Sequence, residues 1–233
     1  MFDATRLRGL FAPLSDTLPD LESDERSLAL ELYALLSSTG KPVSEASLAR
    51  ATGFEEARVR DVLSGDALAC LIYRDDDGRI AGFGGLAVLP MAHRLTKDGT
   101  ELYAWCAWDA LFLPTLLGGD VEVKSTCPTT GESISLTVGS DGARDIEPAE
   151  AVISFLVPEA PLYEQATIET ITRFCHFVHF FRSREAAEKW TAHNPGTFVL
   201  SVDEGFELGR LMTESRFGLD PAGNRPGEVP SRV

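Results

Sequence analysis

The sequence predicts an α+β protein, and three observations carry that prediction. Leucines recur at helical spacing early in the chain, two apolar runs flank an Asp-Gly turn, and the second half mixes alternating segments with helical ones. The expected organisation is an irregular lead-in over residues 1–20 and a small helix-and-hairpin domain over 21–85. A mixed α/β domain over 86–217 and a mobile tail over 218–233 complete it.

Pro13 and Pro19, set among small and apolar residues, make the lead-in read as irregular. From Ser23 the pattern turns helical: Leu28, Leu32, Leu35 and Leu36 share a face, and Gly40-Lys41-Pro42 stops the run. Val43 to Phe54 and Glu55 to Leu63 read as two short amphipathic helices joined at Gly53, a helix-turn-helix. Cys70 to Tyr73 and Ile80 to Gly84 flank Asp75-Asp76-Asp77-Gly78, which predicts a hairpin. Three helices followed by a hairpin resemble a winged helix.

In the second half, Thr100 to Leu113 is strongly apolar and reads as one buried helix ended by Pro114. Asp120 to Thr126 and Ser133 to Val138 alternate as strands around the turn Cys127-Pro128-Thr129-Thr130-Gly131-Glu132. Ala151 to Val157 is a continuous apolar strand, and Phe174 to Phe181 is aromatic enough to be another. Ser183 is placed to cap a helix running to about Ala192, and Asp203 one running to about Phe217.

A net charge of −15 repels phosphate backbones and anionic lipid, so neither nucleic acid nor membrane is expected as a partner. The helix-turn-helix does not change this. Arg58 and Arg60 are offset by Glu55, Glu56 and Asp61, and three aspartates occupy the hairpin tip beside Arg74 and Arg79. A structural or substrate-covering role suits the small domain better. No apolar run approaches a membrane span, and the N-terminus lacks the features of a secretory signal, which makes the cytoplasm the expected location. Cys70, Cys106, Cys127 and Cys175 are widely spaced without a C-x-x-C pair, as suits free thiols in a reducing compartment.

Two stretches could carry chemistry. Cys106 and Asp109 stand three apart in Tyr103-Ala104-Trp105-Cys106-Ala107-Trp108-Asp109, on one face if the segment is helical. A buried acid must be paired or held protonated, and beside a thiol it can take the proton and leave a thiolate, the form that binds soft metals. The alternative is a small core residue beside a surface charge, and spacing alone leaves both open. Cys175 lies in Arg173-Phe174-Cys175-His176-Phe177-Val178-His179, where a strand would put it on one face with Phe177 and His179. Cysteine and histidines so close could ligate zinc, but no second ligand pair at finger-like spacing accompanies them. Cys127 has no neighbouring acid or base and reads as structural, and Cys70 as core filler.

These residues resemble the organomercurial (alkylmercury) lyases. The resemblance rests on Tyr103-Ala104-Trp105-Cys106-Ala107 with Asp109, and on Cys127 with Thr130-Gly131 and Ser135-Leu136-Thr137-Val138. It rests equally on Phe174-Cys175 with Val178-His179-Phe180-Phe181, and extends over about residues 28 to 217. It implies a winged-helix-like domain packed on a mixed α/β catalytic domain. It implies Cys106, Asp109 and Cys175 as catalytic residues and as holders of substrate or product mercury, with Cys127 less critical. Two positions depart from the family's pattern: His176 stands where a second cysteine follows, and Phe177 where a histidine is often found.

The implied activity is protonolysis of carbon–mercury bonds, giving a hydrocarbon and Hg(II). Soft mercury favours a pair of thiolates, and the departing carbon needs a proton, which Asp109 would return. A water-poor pocket from Trp105, Trp108 and Phe177 would shelter the transfer. No cofactor is implied, since mercury arrives with the substrate, and small thiols or a mercuric reductase would draw off the product. The alternatives are a non-enzymatic thiol protein that sequesters mercury or another soft metal, a metal-sensing regulator, and a thiol-disulfide oxidoreductase. A trap would need the two cysteines but not the proton donor Asp109.

Overall fold

The computed structural model describes residues 4–16, 20–157 and 174–219. It is a mixed α+β structure, as expected. The chain opens with helix α1 (Ala4–Ser15), α2 (Ser23–Thr39), α3 (Glu45–Thr52), α4 (Glu56–Leu63) and the single turn α5 (Asp66–Ala69). The irregular lead-in expected over 1–20 is therefore a correction, because Pro13 sits inside α1. Leu7 and Leu14, one helical face apart, bury against the rest of the molecule and hold that segment helical.

Helix α2 begins where the Glu22 backbone N–H meets the Glu25 carboxylate at 2.8 Å, and stops at Gly40, whose φ of 60° only glycine adopts readily. Its buried stripe is Leu28, Leu32, Tyr33 and Leu36. Ser44 caps α3 by accepting the Ser47 N–H, and Gly53 in the left-handed conformation ends it. Strands β1 (Ile72–Arg74) and β2 (Ile80–Phe83) then form the expected hairpin, with the Asp75 carboxylate accepting the N–H groups of Asp77 and Arg79 across the turn.

The hairpin does not end there. β2 pairs with β3 (Leu86–Ala87), and an antiparallel sheet continues through β5 (Thr100–Ala104), β4 (His93–Lys97), β6 (Val121–Thr126), β7 (Ser133–Gly139) and β8 (Gly142–Glu147). In this eight-stranded sheet β1 and β8 are the edge strands, and β2 packs against α2. A second sheet has β9 (Val152–Phe155) between β10 (Phe180–Phe181) and β11 (Phe198–Ser201).

Between the sheets lie α6 (Ala107–Leu117) and α8 (Val202–Phe217), while α7 (Arg184–Thr191), capped by Ser183 as expected, covers the smaller sheet. Helix α6 is apolar nearly all round and correspondingly buried. It approaches α8 closely because Gly205 and Gly209 present no side chain: a Cβ on Gly209 would stand 2.6 Å from Phe112 Cβ, and one on Gly205 2.9 Å from Leu111.

Three local expectations are corrected. Thr100 to Leu113 is not one helix but strand β5, then Cys106, then α6; β-favouring Thr100 and Tyr103 pair with β4 on one side and, through Tyr103, β3 on the other. Pro114 lies inside α6 and costs it one backbone hydrogen bond without ending it. The last helix is capped by Ser201 and not Asp203: Ser201 Oγ accepts the Glu204 N–H at 3.1 Å, and Glu204 accepts the Ser201 N–H at 2.8 Å. Of the tail expected over 218–233, all beyond Leu219 lies outside the described residues.

Candidate active site

Cys106 sits between β5 and α6, as the N-cap of the helix, with extended φ and ψ of −144° and 174°. Asp109 is the third helical residue and reaches back, its Oδ2 accepting the Cys106 backbone N–H at 2.8 Å. The spacing read as one helical face is thus a capping arrangement, and it brings the two residues together as firmly. Asp109 has little room elsewhere. A Cβ on Gly85 would stand 2.6 Å from its carboxyl carbon, so the carboxylate rests on bare backbone at the turn between β2 and β3. Gly84 and Gly85 both have positive φ, and Tyr33 of α2 donates its hydroxyl to the Gly84 carbonyl at 2.9 Å.

Cys175 comes from a different part of the chain. The strand expected over Phe174 to Phe181 is a correction: Phe174 and Cys175 are helical, residues 176–177 form a turn, and only Phe180–Phe181 is strand. The reason is Ser154 on β9, fully buried, whose hydroxyl donates to the Phe177 carbonyl at 2.7 Å and accepts the His179 N–H at 3.0 Å. The Ala107 N–H at the start of α6 donates to the Val178 carbonyl at 3.1 Å, tying this turn to the Cys106 segment.

The outcome is a buried set of two thiols and a carboxylate. The ligand atoms of Cys106, Asp109 and Cys175 lie within 4.8 Å of one another, with Cys175 Sγ 3.9 Å from Asp109 Oδ2. Among the described residues no other His, Cys, Asp or Glu joins them. His176 is exposed, and His179 spends its Nε2 on the His176 carbonyl at 2.7 Å, so the histidines form no zinc site with Cys175.

Burial governs the protonation of this set. It pushes the Asp109 carboxyl up to about 6, against the opposing hydrogen bonds from Cys106 and Cys175. It pushes the Cys106 thiol well above its ordinary value, and the hydrogen bond with Cys175 and the Asp109 charge act in the same direction. At Cys175 the hydrogen bond from Cys106 pulls down, but burial and the Asp109 carboxylate outweigh it and leave the thiol raised. Burial thus favours neutral thiols and brings the Asp109 carboxyl toward neutral pH, where it can both take and give a proton. A soft cation, by taking sulfur as thiolate, would release protons next to a group able to accept them.

Cys127 lies outside this set, in the turn between β6 and β7. Burial acts to raise its thiol, but hydrogen bonds from the Thr130 side chain and from the backbone of Arg182, Thr130 and Thr129 outweigh it, leaving the thiol lowered. Cys70 is buried in the core near the N-terminal helices.

A family model described as alkylmercury lyase matches residues 86–214. Alkylmercury lyase from Bacillus cereus is 39% identical over 206 residues, covering 88% of this chain and 81% of that relative. The chain belongs to the alkylmercury lyase family. The enzyme of that name from Streptomyces lividans is 38% identical over 180 residues, covering 77% of this chain and 79% of its own length. The crystal structure of the mercury-bound form of MerB2 superposes with a TM-score of 0.68 at 28% identity, covering 88% of this chain and 96% of that one.

In this alkylmercury lyase fold, one cavity of about 100 Å³ reaches the site, lined by Asp109 and Cys175 and by Trp105 and Trp108. Phe177, expected with the tryptophans, lies outside that lining and packs against Trp190, with ring centroids 6.3 Å apart. Sequence reading missed three supports: Tyr33, the Gly84-Gly85 turn and Ser154. Ser154 left a signal, a lone hydroxyl in an otherwise apolar strand, which demands partners when buried.

Proposed function

We propose that Cys106, Cys175 and Asp109 divide the work of carbon–mercury protonolysis in this organomercurial lyase. The observation that carries the reading is the convergence of two buried thiols and one buried carboxylate. An alkylmercury cation binds one thiol, whose proton leaves, and the sulfur–mercury bond forms. The second thiol gives its proton to Asp109 as its sulfur joins the metal and weakens the bond to carbon. Asp109 then protonates the carbon, the carbon–mercury bond breaks, and hydrocarbon leaves. Hg(II) remains on the two thiolates and Asp109 regains its charge. Mercury enters as substrate and leaves as product, so this reading needs no resident cofactor.

Small thiols, or a mercuric reductase acting through thiols, suit the removal of Hg(II) by ligand exchange. Four free cysteines suit a reducing cytoplasm, and no helix among the described residues is long and apolar enough to cross a membrane.

The winged-helix-like unit over 21–85 is read as support for the site and not as a reader of DNA. Arg58 pairs with Asp24, Arg60 with Glu45 and Glu56, Arg74 with Glu45, and Arg79 with Asp75 and Asp77. Cations neutralised in this way offer little to a phosphate backbone.

Methylmercury incubated with the protein and excess small thiol tests the function. Methane release with stoichiometric Hg(II) is the expected result, and binding without methane would favour sequestration.

A further inference from the structure

We propose that the Gly84-Gly85 turn seats the Asp109 carboxylate, and that Tyr33 on α2 is the positioning residue that holds this turn in place. The proposal rests on the lyase reading above, with Asp109 as proton carrier. It adds a positioning residue from outside the span matched by the family model, which begins at residue 86.

The two glycines are bare at the two places where a polar group comes in. A Cβ on Gly84 would stand 2.3 Å from the Tyr33 hydroxyl oxygen, and one on Gly85 would stand 2.6 Å from both the carboxyl carbon and Oδ1 of Asp109. Their φ values of 48° and 96° lie where other residues enter only at a cost. Three hydrogen bonds fix the turn. The Gly84 N–H donates to the Leu71 carbonyl at 2.9 Å, and the Tyr33 hydroxyl donates to the Gly84 carbonyl at 2.9 Å. The Trp105 N–H donates to the Gly85 carbonyl at 2.8 Å, which joins the turn to the residue before Cys106.

Asp109 is held from two sides as a result. Oδ1 rests over Gly85, while Oδ2 accepts the Cys106 N–H at 2.8 Å and lies 3.9 Å from Cys175 Sγ. A turn free to draw back would let the carboxylate rotate and carry Oδ2 away from the thiol. Of the three bonds to the turn, only that from Tyr33 comes from a side chain. Tyr33 is itself fixed, buried edge-on to Phe83 at 5.1 Å and to Phe217, the last residue of α8, at 6.1 Å. Burial pushes its hydroxyl up against the opposing charge of Arg216, and the charge of Asp109 adds to the rise, so the group stays protonated and donating.

Tyr33→Phe keeps both ring contacts and removes only the hydroxyl. Its single-turnover cleavage of saturating phenylmercury should fall roughly tenfold, while its affinity for Hg(II) stays within roughly twofold of wild type because both thiols are untouched. Gly85→Ala keeps Tyr33 but drives a methyl group at the carboxyl. It should lose roughly 10²-fold in rate with Hg(II) affinity again preserved, and it decides the matter if Tyr33→Phe does not fold. A folded Tyr33→Phe that is less stable in urea yet cleaves within roughly twofold of wild type would make the tyrosine a core residue alone and overturn the proposal. Cleavage by folded Gly85→Ala at the wild-type rate, or parallel loss of Hg(II) affinity in either variant, would overturn it as well. Failure of wild type to release benzene, or full cleavage by Asp109→Asn, would instead sink the proton-transfer reading beneath it.

Discussion

Asp109 holds Cys106 from the first turn of α6, its Oδ2 accepting the Cys106 backbone N–H at 2.8 Å while facing Cys175 Sγ at 3.9 Å. One oxygen thus holds the first thiol segment and lies within hydrogen-bond reach of the second thiol. The geometry ties the cap of a helix to the chemistry of the candidate site.

Cys106→Ser and Cys175→Ser should each abolish phenylmercury cleavage, because a hydroxyl is too hard and too weakly acidic to replace a thiolate on mercury. Cys127→Ser should keep turnover, since Cys127 lies outside the cluster. Benzene release, followed for all three variants, checks both statements. Substantial turnover by Cys175→Ser would rule out the two-thiol reading.

Asp109 should leave a mark on stability. Its carboxyl titrates at about 6 in the fold, and near 3.9 when unfolded. A group raised by folding favours the folded state below its unfolded pKa, and that contribution disappears as pH rises through the folded value. The rise corresponds to roughly 3 kcal/mol. Urea unfolding should therefore show Asp109→Asn gaining on wild type between about pH 4 and pH 7, by up to that amount. A difference independent of pH would contradict the desolvated carboxyl. Cleavage by wild type should also rise with pH through about 6, where Asp109 becomes able to accept a proton.

Ser154→Ala should loosen the turn that carries Cys175. It strands the Phe177 carbonyl and the His179 N–H inside the protein, at a cost of roughly 1–3 kcal/mol. Cleavage should fall while Asp109 remains in place, and Ser154→Thr, which keeps the hydroxyl, should recover part of it. Unchanged activity in Ser154→Ala would show that β9 does not position Cys175.

The protein should show no specific affinity for duplex DNA, given the paired arginines of α4 and of the β1–β2 hairpin and a net charge of −15. A salt-sensitive mobility shift at sub-micromolar protein would overturn this.

Much of the N-terminal half was legible because its signals are local. Leu28, Leu32 and Leu36 mark a helical face, Gly40 and Gly53 mark stops, and Asp75 to Gly78 marks a turn. The site residues were legible as cysteines and an acid in unusual surroundings, and the resemblance singled them out. Their local structure was not legible. A short apolar run such as Thr100 to Leu113 has no decisive period, so sheet pairing decided what periodicity could not. Cys175 sits in a turn fixed by Ser154, some twenty residues away in the chain, and no local pattern announces such a partner. Strands β3, β4, β8 and β11 escaped for the same reason: short segments gain their structure from neighbours in the sheet.

If Asp109 delivers the proton to carbon, single-turnover cleavage of phenylmercury by Asp109→Asn is the decisive measurement. The variant keeps both cysteines, so it should bind phenylmercury and Hg(II), while its cleavage rate falls by roughly 10²-fold or more. In deuterated water the benzene released by wild type should carry one deuterium, because the delivered proton exchanges with solvent before transfer. Cleavage by Asp109→Asn at the wild-type rate would exclude Asp109 as the proton donor and move that role to a thiol of Cys106 or Cys175.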